Sequence, residues 1–215
     1  MDPAAWLREK GFDPEGDLCA AIECKRHCSK ITAMWEASFA GELGVCRFLW
    51  EHGAASTITT KNSQGFTPMW VACRGGHLEV AKWLFEIGAG ENIRTKARWS
   101  GTTPMSVACS NGRLEVAGWL YEVGAADDIH SETNWGDTPM HAACVHGHLD
   151  VTKWLFEIGS VGDITDMNDF CQTPMHIACT RGHLDIAKWL FEASSGREIC
   201  TENVCGDTPM HAACL

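Results

Sequence analysis

Two pairs of histidine and cysteine have a spacing at which their side chains could act together. Each pair lies in one copy of the sequence GDTPMHAAC, which occurs at 136–144 and again at 206–214. The pairs are His141 with Cys144 and His211 with Cys214. An imidazole beside a thiol is suited to binding a metal ion or to activating the thiol as a nucleophile. The third explanation is that both residues belong to a structural repeat.

A further group of potential metal ligands lies near the N-terminus and consists of Cys19, Cys24, His27 and Cys28. Their spacing, C-x4-C-x2-H-C, differs from the regular paired spacing of structural zinc sites, so they are weak metal candidates and free thiols are favoured. Cys200 and Cys205 form an equally weak pair. The sequence has neither a GxxxxGK phosphate loop nor a nucleophile elbow. We therefore predict no catalytic residue, no bound metal and no cofactor.

The chain is built from a repeat with a period close to 35 residues. The tripeptide TPM marks it at Thr67, Thr103, Thr138, Thr173 and Thr208, and TAMWEAS at Thr32 is a degenerate copy. KWLFEIG or a variant follows the first five copies. Threonine caps helices, proline fits the first helical position and glycine ends helices. Each unit is therefore predicted to form two short antiparallel helices without a third, and such units must stack into an α-solenoid to bury their apolar faces.

The repeat resembles the ankyrin repeat family. TPMHAACVHGHLDVTKWLFEIGS at 138–160 is similar to the family pattern TPLHxAAxxGHLEVVKLLLxxGA, and the resemblance covers about residues 32–215. It implies an α fold, an ankyrin-repeat α-solenoid of stacked helix-turn-helix units with projecting finger loops. The predicted division is an N-terminal partial repeat with an insertion at 1–31, repeats at 32–66, 67–102, 103–137, 138–172 and 173–207, and a truncated sixth repeat at 208–215.

Comparison of the copies decides between the explanations of the histidine–cysteine pairs. The histidine position reads Trp35, Trp70, Ser106, His141, His176 and His211, and the cysteine position reads Ser38, Cys73, Cys109, Cys144, Cys179 and Cys214. Because the two positions vary independently, a shared metal or catalytic role is disfavoured. The resemblance implies that the histidine ties the first helix to the neighbouring finger and that the cysteine fills a small buried position.

Tryptophan replaces the first leucine of the family's LL pair in the second helix. It does so at Trp83, Trp119, Trp154 and Trp189. Because a buried indole removes a large apolar area from water, we predict that these four side chains are buried and form an aromatic ladder between repeats.

Charge and composition restrict the function further. The formal net charge is −11, which disfavours nucleic acid and anionic membranes and favours a partner with basic residues. The N-terminus lacks the layout of a signal peptide, and no apolar run is long enough to be inserted in a membrane. The twelve cysteines are therefore predicted to be reduced thiols in an intracellular, cytoplasmic protein.

The resemblance places partner binding on the concave face formed by the fingers and the first helices. Positions there that vary between copies, while the framework stays constant, are the predicted contacts. They are Phe66, Arg74, Trp99, Ser110, Asn111, Trp135, Val145, His146, Phe170, Thr180 and Arg181. For Trp99 and Trp135 the alternative is that they only pack finger against finger.

The favoured function is a non-catalytic scaffold that binds another protein or a peptide, and that is monomeric unless its open C-terminal repeat pairs. One alternative is a regulatory or targeting domain cut from a larger enzyme, channel or signalling protein, since the last repeat stops at Leu215 before its second helix. A second alternative is a thiol- or metal-sensing protein that uses its cysteines.

Overall fold

The computed structural model describes residues 2–24, 29–196 and 200–212. Its helices and strands in chain order are α1 (Pro3–Glu9), β1 (Ala21–Cys24), β2 (Ser29–Thr32), α2 (Ala33–Ala40), α3 (Leu43–Glu51), α4 (Pro68–Gly75), α5 (Leu78–Leu84), α6 (Pro104–Ser110), α7 (Leu114–Leu120), α8 (Pro139–His146), α9 (Leu149–Glu157), α10 (Pro174–Thr180), α11 (Leu184–Ala193) and α12 (Pro209–Ala212). The predicted α class is confirmed. No helix in these residues is both long and apolar enough to cross a membrane.

A threonine starts each first helix, as predicted. At α8, the side chain of Thr138 accepts a hydrogen bond from the backbone N–H of His141, and Pro139 follows at a position that needs no amide partner. The same cap precedes α4, α6 and α10 at Thr67, Thr103 and Thr173. This local chemistry fixes where each repeated helix begins.

The core repeats with the sequence. Every first helix from α2 to α10 buries one methionine, and every second helix from α3 to α11 buries one leucine. These residues are Met34, Met69, Met105, Met140 and Met175, with Leu49, Leu84, Leu120, Leu155 and Leu190. Burial of a side chain of this size contributes roughly 1.5–3 kcal/mol, so these residues stabilise the packing of the helices.

The chain forms two compact units, residues 1–99 and 100–215. In the first, α2 packs on α4, α3 packs on α5, and α1 lies against α3. In the second, α6, α8, α10 and α12 pack in that order, and α9 contacts α11. Within each unit the helix pairs stack as a helix-turn-helix solenoid requires.

Two kinds of element differ from the prediction. A 3-10 helix follows the second helix at Ala55–Thr59, Gly90–Arg94, Ala126–His130 and Gly162–Ile164, so the expectation of no third helix is wrong. Each of these helices buries one isoleucine, at Ile58, Ile93, Ile129 and Ile164. The N-terminal insertion contains an antiparallel hairpin in which β1 pairs with β2 and Ile22 lies opposite Ile31.

The aromatic ladder is present within the units, but the burial of its tryptophans was overestimated. Trp83 is buried, whereas Trp119, Trp154 and Trp189 are only half-buried. The ring contacts are edge-on and join Trp50 to Trp83, Tyr121 to Trp154 and Phe156 to Trp189, with centroids 6.3, 6.2 and 5.4 Å apart. In each contact, the tryptophan of one repeat meets an aromatic ring of the preceding repeat. That ring lies two residues after the tryptophan position of its own repeat, so each contact joins two different positions of the motif.

Candidate functional site

Both ring nitrogens of the repeated histidine are engaged in structural hydrogen bonds. The Nδ1 atom of His141 accepts from the backbone N–H of Thr138 at 3.2 Å, and Nε2 donates to the carbonyl of Gln172 at 3.1 Å. His176 makes the equivalent bonds to Thr173 and to the carbonyl of Asp207. Burial is the main cause that lowers the pKa of His141 and of His176 and keeps the rings neutral. The predicted link from the first helix to the neighbouring finger is confirmed.

Other residue types at this position remain structural. The indole Nε1 of Trp35 donates to the carbonyl of Phe66 at 3.2 Å, which replaces the histidine bond. Ser106 instead completes the cap of its own helix, because its hydroxyl accepts from the backbone N–H of Thr103 at 2.9 Å. The position serves helix capping and finger attachment, and it does not need an imidazole.

Three cysteines of the repeat have surroundings that make them inert. The predicted burial is wrong for Cys179, which is half-buried, and Cys214 lies outside the described residues. Cys73, Cys109 and Cys144 are fully buried, as predicted for a small apolar position. Burial raises the pKa of Cys109 and of Cys144 to about 12 and raises the pKa of Cys73 as well. A thiol must be ionised to act as a nucleophile or as a metal ligand, so these thiols are unsuited to either role.

The N-terminal ligand group falls mostly outside the described residues. His27 and Cys28 lie there, as does the side chain of Cys24. The thiol of Cys19 is 3.5 Å from the carbonyl of Gly53 and 3.6 Å from the hydroxyl of Ser56. Cys200 and Cys205 are exposed free thiols. Within the described part of the chain, no group of three or more His, Cys, Asp or Glu side chains could hold a metal ion.

The fingers of the second unit present large apolar side chains to solvent. Trp135, Phe170 and Val204 are 48, 50 and 62% exposed. Backbone bonds connect these fingers, from the N–H of Asp169 to the carbonyl of Trp135 at 3.0 Å and from the N–H of Val204 to the carbonyl of Phe170 at 3.3 Å. We call Trp135, Phe170 and Val204 the finger edge. The fingers are held together by backbone bonds, and their apolar side chains remain at the surface.

Asparagine shapes the turn of the finger that carries Phe170. The Oδ1 atom of Asn168 accepts from the backbone N–H groups of Phe170 and Gln172, each at 3.0 Å, and its Nδ2 donates to the carboxylate of Asp137 at 2.8 Å. Asn62 makes the same turn bonds in the first unit. These bonds fix the direction in which the finger side chains project.

The aromatic residues predicted in the first unit have different surroundings. Trp99 is 68% exposed, and the guanidinium carbon of Arg98 lies 5.4 Å from its ring centroid. Phe66 is half-buried and stacks on Trp70, with ring centroids 3.9 Å apart. Trp99 is therefore at the surface, whereas Phe66 is part of the packing of its unit.

A groove in the second unit brings four of the predicted contact residues together. It has a volume of about 220 Å³ and lies between the ends of α8 and α10 and the finger before α10. The predicted residues that line it are Val145, Phe170, Thr180 and Arg181. The remaining lining residues, Asp137, Asn168, Gln172 and Ile177, were missed.

The sequence contained a signal for the missed Ile177. At its position the six copies read Glu36, Val71, Val107, Ala142, Ile177 and Ala212. This is the kind of variation between copies that identified the other contact residues.

The other predicted residues lie at the ends of first helices. Arg74 and His146 are exposed, at the ends of α4 and α8. Ser110 and Asn111 are half-buried at the end of α6, where the side-chain amide of Asn111 donates to the carbonyl of Val107 at 2.8 Å. None of these four lines the groove.

Comparison with protein families identifies the repeat independently. A family model described as "Ankyrin repeats (3 copies)" matches residues 15–97. A second model, described as "Ankyrin repeats (many copies)", matches residues 105–156 and 140–191. A search of curated proteins found no match to this sequence.

Proposed function

Since the chain belongs to the ankyrin repeat family, whose repeats are generally protein–protein interaction modules, we propose that it is a non-catalytic scaffold that binds a protein or peptide. The observation that carries this proposal is the contrast between buried framework and exposed finger edge. Framework residues such as Met140 and Cys144 are buried, whereas Trp135 and Phe170 expose about half of their surface and Phe170 lines a groove. Exposed aromatic side chains at a groove are typical of binding hot spots.

The proposed contact surface has a separate part in each unit. In the second unit it comprises the finger edge, the groove and the ends of the first helices, with Ser110, Asn111, Val145, His146, Thr180 and Arg181. In the first unit it comprises Trp99 and Arg74, with Phe66 contributing through the part of its ring that remains accessible.

A non-catalytic role is supported by the state of the groups that first suggested chemistry. His141 and His176 are neutral and fully hydrogen-bonded, and the thiols of Cys109 and Cys144 are buried with raised pKa values. A thiol sensor needs accessible thiolates. The buried cysteines therefore serve packing in this proposal, and the protein functions in a compartment that keeps thiols reduced.

The charge of the chain favours basic residues in the partner. With a formal net charge of −11, the field of the protein attracts cations and repels nucleic acid. Asp137 and Asp169 carry this charge onto the fingers. We propose a monomer that recognises basic side chains of its partner through the fingers.

The test is capture from a native lysate with chemical cross-linking and mass spectrometry. A Trp135→Ala/Phe170→Ala variant is compared with the wild type and with Val161→Ala, a matched control that removes an apolar side chain 54% exposed outside the groove. We expect loss of one set of captured proteins in the double variant alone, with cross-links to the fingers. Equal capture by all three forms would contradict the proposed surface.

A further inference from the structure

One arginine and three histidines gather where the first helices of two successive pairs end. His146 ends α8 and His148 follows it in the turn, and the turn after α10 carries Arg181 and His183. We call these four residues the turn cluster. The ring centroids of His146 and His148 are 6.3 Å apart. The Nε2 atom of His183 donates to the carbonyl of Val145 at 3.2 Å, which places the second turn directly against the first.

The surroundings of His146 disfavour a positive charge on its ring. Burial is the main cause that lowers the pKa of His146, and the charges of His148, Arg181 and His183 lower it further. Each of these neighbours disfavours a second positive charge at His146. An anion bound beside His146 would instead favour the protonated ring and raise its pKa. The side chains of His146 and Arg181 are exposed, so an anion can reach them.

The turn cluster adjoins the groove. Arg181 belongs to both, and Val145, which lines the groove, directly precedes His146. The lining of the groove includes the apolar side chains of Phe170 and Ile177, of which Ile177 is largely buried, and the carboxylate of Asp137. The groove therefore combines apolar side chains with one cation, Arg181, and one carboxylate, Asp137.

From this arrangement, and resting on the proposed function, we propose that the groove binds an acidic segment of the partner protein. An apolar side chain of that segment packs between Val145, Phe170 and Ile177, and an adjacent Asp or Glu carboxylate binds Arg181 and His146. In this arrangement the basic residues of the partner, which the net charge of the chain favours, contact the finger carboxylates. The turn cluster binds an acidic residue of the same partner. Charge complementarity of this kind provides specificity more than affinity.

The test uses short peptides and nuclear magnetic resonance of the full chain, which detects weak binding. The probes are the labelled peptides GLEEG, GLQQG and GLKKG, each titrated to about 10 mM because short segments bind in the millimolar range. We expect GLEEG to shift the ring signals of His146 and the amides of Val145 and Arg181, with an affinity about tenfold above that of GLQQG. No response to GLEEG, or an equal response to GLKKG, would overturn the proposal.

Variants separate this inference from the proposed function. His146→Gln/Arg181→Gln should abolish the preference for GLEEG, whereas the matched control Arg47→Gln/His52→Gln, exposed residues of the first unit, should keep it. Affinity for GLEEG should also rise as the pH falls from 7.5 to 6, because a bound carboxylate favours protonated His146. An equal response to inorganic phosphate would mean a free-anion site and would overturn the peptide proposal. Partner capture could be lost in Trp135→Ala/Phe170→Ala but unchanged in His146→Gln/Arg181→Gln. That result would support the proposed function and contradict the acidic segment.

Discussion

The indole Nε1 of Trp35 donates to the carbonyl of Phe66 at 3.2 Å, and the imidazole Nε2 of His141 donates to the carbonyl of Gln172 at 3.1 Å. The two acceptors occupy the same place, one residue before the threonine that starts the next repeat. Two different rings thus attach a first helix to the following finger, because each presents an N–H that reaches the equivalent carbonyl. Histidine and tryptophan are exchangeable there because both rings supply that donor, whereas Ser106 caps its own helix instead.

His141→Phe should lower the free energy of unfolding by about 2 kcal/mol. The change leaves the carbonyl of Gln172 and the backbone N–H of Thr138 without their bonds, and buried unpaired polar groups cost roughly 1–3 kcal/mol. Denaturation with guanidinium chloride measures the loss. His52→Phe is the control, since His52 is exposed and bonds only within its own helix. Equal losses in the two variants would contradict the assigned role.

The cost of His141→Phe should shrink as the pH falls. Burial lowers the pKa of His141 in the folded state below the unfolded value of about 6.5, so the unfolded chain binds a proton more readily. The stability contributed by the neutral ring is therefore complete above about pH 6.5 and is lost as the pH falls through the folded pKa. Unfolding of both proteins between pH 7.5 and 5 should give converging curves, and parallel curves would mean that the ring is not held neutral.

Cys171→Gly should stabilise the protein by about 0.5–1 kcal/mol. Cys171 has a φ of +52° at the finger position where other copies have Gly65, Gly101, Gly136 and Gly206. A left-handed conformation costs a non-glycine residue about 1–2 kcal/mol, part of which is offset because glycine is more flexible when unfolded. Thermal unfolding of the two proteins measures the gain.

Gly136→Ala tests the opposite change at the same position of another finger, because it adds a side chain where Cys171→Gly removes one. Gly136 has a φ of +74°, and a Cβ atom there would lie 2.9 Å from the backbone nitrogen of Asp169. That nitrogen donates the bond joining two fingers, so this variant should be destabilised. A loss of stability in Cys171→Gly would show that the cysteine side chain contributes more than its backbone strain costs.

The framework was predictable because its signals are local and repeated. Threonine caps, buried methionines and terminal glycines recur at fixed positions, and each has one structural meaning. The 3-10 helices were not predictable, since a segment such as Gly90–Arg94 buries only Asn92 and Ile93 and is too short for a periodic pattern. The groove depends on how neighbouring helices and a finger are placed, and Ile177, which lines it, is itself a buried core residue like Val71 and Val107 in other copies.

Trp154→Ala should lower stability by about 2–3 kcal/mol, less than a fully buried tryptophan would cost. The indole is half-buried and keeps one edge-on contact with Tyr121, so part of the usual cavity and transfer cost is absent. Trp135→Ala should change stability by no more than about 0.5 kcal/mol because nearly half of its surface is exposed. Chemical denaturation compares them, and a large loss in Trp135→Ala would make the finger edge a packing surface.

Gly147→Ala should destabilise the protein more than Gly182→Ala, although both glycines end a first helix in the left-handed region, with φ of +78° and +74°. A Cβ atom on Gly147 would lie 2.7 Å from the ring of His183, whereas one on Gly182 would have no atom within 4 Å. Backbone strain of about 1–2 kcal/mol applies to both, and the collision applies only to Gly147.

Removing the ring separates the two contributions. His183→Ala in the Gly147→Ala background should restore the stability that is lost through the collision. The double variant should therefore lose less stability than the sum of the two single losses. The same His183→Ala change in the Gly182→Ala background should be additive. Additive losses in both backgrounds, measured by guanidinium denaturation, would show that the histidine of the GHL motif does not press on the preceding turn.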